Sequence, residues 1–260
     1  MVQVPAPLLA FGLLTVGIAA SLSAMWVVRR STDFETLASH KEVAGFIIAV
    51  IGTLYSVLMA LVVTNVWAQF EESAHVAEHE AELTISMYRD AAVFATDSSA
   101  IRPSLREYAT SVVNEEWPSM AEDQEESGAT DLALARLFRS YRSIQPQNAA
   151  EEIFLHNSLD RLDDITAARR ERIAASSKKL PGPLWLVLVA GAAITLGFTL
   201  ILPVRNVRAQ GLMVSSVAAM TALMLFLTLS LDLPFSGDLA VEPTAMRSAI
   251  HEFGDIDADD

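Results

Sequence analysis

The chain has 260 residues, 52% of them hydrophobic and 19% charged, and a formal net charge of −14. That acidity argues against a nucleic-acid binder, which needs a basic stripe to neutralise phosphates. The absence of cysteine excludes disulfides and thiolate metal sites.

The apolar residues gather in four runs without a single charge, at residues 4–28, 43–66, 184–204 and 210–231. A hydrocarbon core about 30 Å thick needs about 20 helical residues. Each run is long enough, and lipid offers the backbone no partners, so each is predicted to be a helix. Arg29 and Arg30 close the first run, which has no basic residue before it. A cleaved signal peptide has the reverse arrangement, so this run is expected to remain as a span.

The second run carries Gly45, Ala49, Gly52, Ser56 and Ala60. At about 100° per residue these five share one helical face. Small faces allow close helix contact in lipid, so this one is expected to pack against another span, of this chain or of a neighbour.

Residues 68–180 hold 21 acidic and 12 basic side chains and no run that could span. They are expected to form an acidic helical domain outside the membrane, inserted between the second and third spans. No Gly or Pro separates the second span from the amphipathic stretch that ends near Thr96, with Val76, Leu83, Met87 and Phe94 near one face. One helix of about 50 residues, about 75 Å long, is predicted. A second helix should start near Pro103, bury Leu105, Tyr108 and Val112, and stop at Pro118. After an acidic loop at residues 121–130, Thr130 or Asp131 should cap a third, holding Leu134, Leu137, Phe138 and Tyr141 and ending at Pro146. Asn148 should cap a fourth, which contains Leu155, Leu159 and Leu162 and runs to about Lys179. No hairpin signal is present.

Pro181, Gly182 and Pro183 precede the third span, and Asp232 and Pro234 end the fourth. The chain therefore divides into residues 1–67, 68–180, 181–231 and a turn with an acidic tail at 232–260: an all-α integral membrane protein. Four spans put both ends on the side of the helical domain. Arg29, Arg30, Lys41, Arg205 and Arg208 in the short loops favour an external domain, while Arg169, Arg170, Arg172, Lys178 and Lys179 near the third span pull the other way.

His75, with Glu78 and His79, matches a zinc-peptidase spacing, and two histidines four residues apart share a helical face. Glu72 and Glu82 flank them. With no further ligand set apparent, they are weak metal candidates beside the simpler reading of a charged, solvated helix face. No phosphate-binding glycine loop and no nucleophile triad is found, so neither an enzyme nor a cofactor is expected.

Four stretches carry a family resemblance: "GFIIAVIGTLYSVLMALVVTNVWAQFEESAHVAEHEAELTISMYRDA" at residues 45–91, "VVNEEWPSM" at 112–120, "LPGPLWLVLVAGAAITLGFTLIL" at 180–202 and "LDLPFSGDLAVEP" at 231–243. The pattern resembles the bestrophin-like family of bacterial membrane proteins, distantly similar to the pentameric bestrophin ion channels. The resemblance implies four spans, a homo-oligomer (a pentamer by analogy) in the bacterial inner membrane, and a conduction path for an ion it does not specify. It also implies an ordered turn after the last span at Pro234, Phe235, Gly237 and Asp238. Pro234 would stop the helix, Phe235 would anchor in an apolar pocket, and Gly237 would take a positive φ. Placing Thr64 and Asn65 near the paired asparagines of bestrophins puts Leu54, Leu58 and Val62 at the pore neck, on the face away from the small residues. "VVTNVWAQFEES" at residues 62–73 departs from that family in having one Asn, one Trp and no basic residue. Neither calcium gating nor anion preference is carried over. The chief alternative is a non-conducting membrane scaffold or sensor that recruits partners through its acidic domain.

Overall fold

A computed structural model of the chain describes residues 5–31, 41–94, 98–122, 127–202 and 204–259. They form nine α-helices, and no strand occurs among the described residues. In chain order these are α1 (Ala6–Ser31), α2 (Lys41–Asp90), α3 (Ser98–Ser111), α4 (Trp117–Glu122), α5 (Gly128–Arg142), α6 (Ala149–Ser177), α7 (Gly182–Ile201), α8 (Val207–Leu231) and α9 (Thr244–Asp259).

Four of them are long and apolar enough to cross a membrane: α1, the first part of α2, α7 and α8. Only 11% to 17% of each apolar window is buried within the chain. Leu8, Phe11, Val16, Phe46, Leu186 and Leu212 all stand exposed. Water would not tolerate so much contiguous apolar surface, and lipid requires it.

α1 and α8 run antiparallel along their lengths. Small residues keep them close: a Cβ added at Gly17 would lie 3.6 Å from the Ala222 side chain. At one end of the pair Arg29 Nη1 donates to Gln210 Oε1 at 2.5 Å. At the other, the Ala6 amide donates to Asp238 Oδ2 at 2.6 Å, just past the end of α8. α2 joins this group through Tyr55, Met59, Val62 and Val66, which pack with Leu188 of α7 and Leu231 of α8. Gly191 is required here, because a methyl group in its place would stand 2.5 Å from the Tyr55 ring.

α2 has 50 residues and passes without interruption from this group into a second core. There Met87, Tyr88, Leu105, Tyr108, Leu137, Tyr141, Leu162 and Ile165 are fully buried, together with Phe253 of α9. The buried stripes follow the predicted periodicity, but several helix ends do not. α3 begins at Ser98, so Pro103 lies inside it rather than at its start. Pro118 does not end the helix. A π-turn at Val112–Glu116 intervenes, in which the Trp117 amide bonds the Val112 carbonyl five residues back, and α4 continues through the proline. The wider turn accommodates a residue that lacks an amide hydrogen. α5 starts at Gly128, ahead of Thr130 and Asp131, which therefore do not cap it. α6 is capped as expected: Asn148 Oδ1 accepts from the Glu151 amide at 2.9 Å.

Candidate functional site

The two sides of α2 differ along its whole length. Tyr55, Met59, Val62 and Val66, then Ser73, Val76, Ala77, Glu80, Thr84 and Met87, fall on one side and pack inside the chain. The other side is free. It carries Val50, Leu54, Val57 and Leu61 in the apolar part, each between 44% and 66% exposed. Farther along, the same angular sector carries Glu71, Glu72, His75, Glu78, His79 and Glu82, all exposed.

Of the three predicted neck residues only Leu54 stands fully on this free side. Leu58 is half-buried, and Val62, 6% exposed, lies in the contact with α7 and α8. Steps of four residues advance the face by about 40° each, so the third member turns into the chain's own interior. The free face follows a spacing of seven instead, through Val50, Val57, Leu54 and Leu61. The small-residue face also stays open: Ala49, Ser56 and Ala60 are exposed, and a Cβ added at Gly45 or Gly52 would meet no heavy atom within 4 Å. Among the described residues it packs on no other span.

The His75 and His79 rings lie one above the other, with centroids 6.5 Å apart. Among the described residues no three His, Asp or Glu side chains converge as metal ligands.

After α8 every polar or special residue of the turn has a partner. Asp232, nearly buried, accepts from the Leu180 amide at 2.7 Å and from Trp185 Nε1 at 3.4 Å, joining the end of α8 to the start of α7. Phe235 is buried and meets the Trp117 indole edge-on, with centroids 5.5 Å apart. Ser236 Oγ donates to the Ala121 carbonyl at 2.9 Å. Gly237 has φ +88°, a conformation that a Cβ disfavours. The Val241 amide closes the turn on the Pro234 carbonyl at 2.7 Å, and the Val241 carbonyl accepts from Trp117 Nε1 at 3.0 Å.

Beneath Trp117 lies a chain of buried charges that sequence reasoning missed. Arg172, fully buried, donates to Glu80 through Nε at 2.7 Å and to Glu116 through Nη2 at 2.6 Å. Its guanidinium sits 4.9 Å from the centroid of the Trp117 ring. Arg169 holds the other side of Glu116 at 2.5 Å and reaches Asp131 at 2.8 Å. Tyr108 Oη donates to Glu80 Oε1 at 2.7 Å. Burial alone would raise Glu116, but hydrogen bonds from Arg169 and the charge of Arg172 outweigh it and hold its carboxyl below the usual carboxylate range. Burial opposes the charges of Arg169 and Arg172, yet their carboxylate partners hold both above the ordinary guanidinium value. Burial, then the charge of Glu80, pushes the Tyr108 phenol well up. A signal was present in the sequence. Arg169 and Arg172 continue the buried spacing of Leu162 and Ile165, and Glu80 sits between Val76, Ala77 and Thr84 on a core stripe.

Neither a curated protein nor a solved structure matches the chain at significant similarity. The family model of the bestrophin-like domain matches residues 16–246, a span that begins within α1, takes in α2 to α8 and the turn after them, and ends at the start of α9. The chain therefore belongs to the bestrophin-like family.

Proposed function

We propose that the protein is a subunit of an oligomeric membrane channel in which the free face of α2 lines the conduction path. One observation carries this reading. A single unbroken helix presents an apolar free face through the span and a charged free face beyond it, while its opposite face packs within the subunit at Met59, Val62 and Val66 and again from Ser73 to Met87. Leu54, Val57 and Leu61 then form an apolar constriction, and the open face at Gly45, Gly52 and Ala60 is available to the neighbouring copy. Residues 68–180 and α9 form an extramembrane bundle, and both ends of the chain lie on its side.

The topology has a direct test. The chain has no cysteine, so single cysteines replacing Gln3, Ser127 and Ala258 are clean probes. All three should react with an impermeant reagent added to the same side, and a cysteine replacing Ser31 should react only from the other. Protection of one of the first three alone would overturn the four-span arrangement.

An apolar constriction gates by dewetting, so the resting protein should conduct poorly. In planar bilayers the variant Leu54→Ala/Val57→Ala/Leu61→Ala should carry more current than the parent at equal protein density. Leu186→Ala, on an exposed part of α7, should not. Equal currents would remove the constriction from this face. A monomer in detergent that conducts in neither form would favour the scaffold reading, in which the acidic bundle recruits partners.

A further inference from the structure

We infer that the species conducted along α2 is a cation. This rests on the channel reading above and adds to it the charge class of the permeant ion.

The first ground is the distribution of charge over the whole chain. Residues 68–180 and 232–260, the bundle and the segment that joins it, hold 29 of the 32 acidic and 13 of the 18 basic side chains. They therefore carry a formal charge of −16, and the rest of the chain carries +2. An ion approaching from the bundle side meets a strongly negative field, which draws cations in and repels anions.

The second ground is the character of the one helix assigned to the path. From residue 43 to residue 88 there is no Lys or Arg. Glu71, Glu72, Glu78 and Glu82 continue the sector of Leu54, Val57 and Leu61, and none of the four is in an ion pair with another described residue. An oligomer would repeat them around its axis as successive acidic rings, the arrangement that favours cations in pores.

The third ground is that at least six of the bundle's 13 cations are held in ion pairs within it. Arg169 and Arg172 are drawn inside to Glu80 and Glu116. Arg89 pairs with Glu252, Arg136 with Glu107, Arg161 with Asp90, and Arg106 with Asp257. These positive charges are compensated in place and do not offset the free carboxylates of α2. The apolar constriction has no charge with which to discriminate, so the sign of the permeant ion is set by the carboxylates beyond it.

The test is the reversal potential of the full-length protein in planar bilayers under a KCl gradient. The expected permeability ratio of potassium to chloride is about ten, the low end of what a charged cleft contributes to the local ion concentration. It should shrink as bulk salt screens the carboxylates. Neutralising the face with Glu71→Gln/Glu72→Gln/Glu78→Gln/Glu82→Gln should bring the ratio to within about twofold of unity. Asp163→Asn/Asp164→Asn, exposed on α6, should leave it unchanged. An unchanged detergent mass for the quadruple variant shows that the assembly is intact. A chloride-preferring current would overturn the cation inference and leave the channel reading standing. A cation preference that survives the quadruple variant would remove the selecting role from α2. No current from parent or widened variant would instead refute the channel reading itself.

Discussion

Replacing Arg172 with methionine is expected to destabilise the bundle by about 3–5 kcal/mol, the usual cost of leaving buried charges without their partner. Methionine fills much of the volume, so the loss is electrostatic. Among the described residues Glu80 keeps only the Tyr108 hydroxyl as a side-chain donor, and Glu116 keeps only Arg169. Arg172→Lys should recover little, because one ammonium cannot reach both carboxylates with the geometry of a planar fork. Urea unfolding followed by helical circular dichroism in detergent measures both. The pH dependence has a definite sign. Glu116 is held below its unfolded value, so its contribution to stability is present above the ordinary carboxylate range and is lost as pH falls through the lower folded value. In Arg172→Met the acid transition should move to higher pH, since less holds the proton off. A loss below about 1 kcal/mol would place the pair among ordinary surface contacts instead.

Phe235→Ala is the second large change, with an expected cost of about 3–5 kcal/mol from the emptied pocket. The Trp117 indole loses its edge-on partner while keeping the cation of Arg172 against its face. The damage should concentrate in the turn, because Phe235 is the turn's main apolar anchor in the bundle. Amide hydrogen exchange at residues 233–243 should accelerate far more than exchange in α3 or α5. Uniform acceleration would show that the residue supports the whole bundle, and unchanged exchange would show that the turn is held by its hydrogen bonds alone.

The spans were legible because lipid imposes a simple rule: about 20 residues without charge. The long α2 was legible because nothing between residues 53 and 90 breaks a helix. The turn at Gly237 was implied by the family resemblance, for which the proline and glycine supply a physical reason. The proline-marked ends misled for a physical reason: Pro118 is absorbed by a π-turn, whose i→i+5 bond no local pattern announces. The buried charges were hidden by the expectation that Glu and Arg are solvated. Only the fold brings Glu80, Glu116 and Arg172 together from three separate helical segments. Val62 packs inside the subunit, away from Leu54, because a four-residue step looks straight in a sequence and spirals on a helix. Which side of α2 the other spans would cover was fixed by Tyr55 resting on Gly191, a contact between residues far apart in the chain.

The unbroken α2 has a mechanical consequence. A hinge needs a proline, a bulge or a glycine pair to bend at, and none interrupts α2 between its membrane part and the bundle. The helix behaves as a stiff lever, and twist applied at one end is delivered at the other. Over its length of about 75 Å, a tilt of about 5° sweeps the tip through about 6.5 Å. The bundle cannot rock without carrying the span with it, so a force on the acidic domain is transmitted directly to Leu54 and its neighbours.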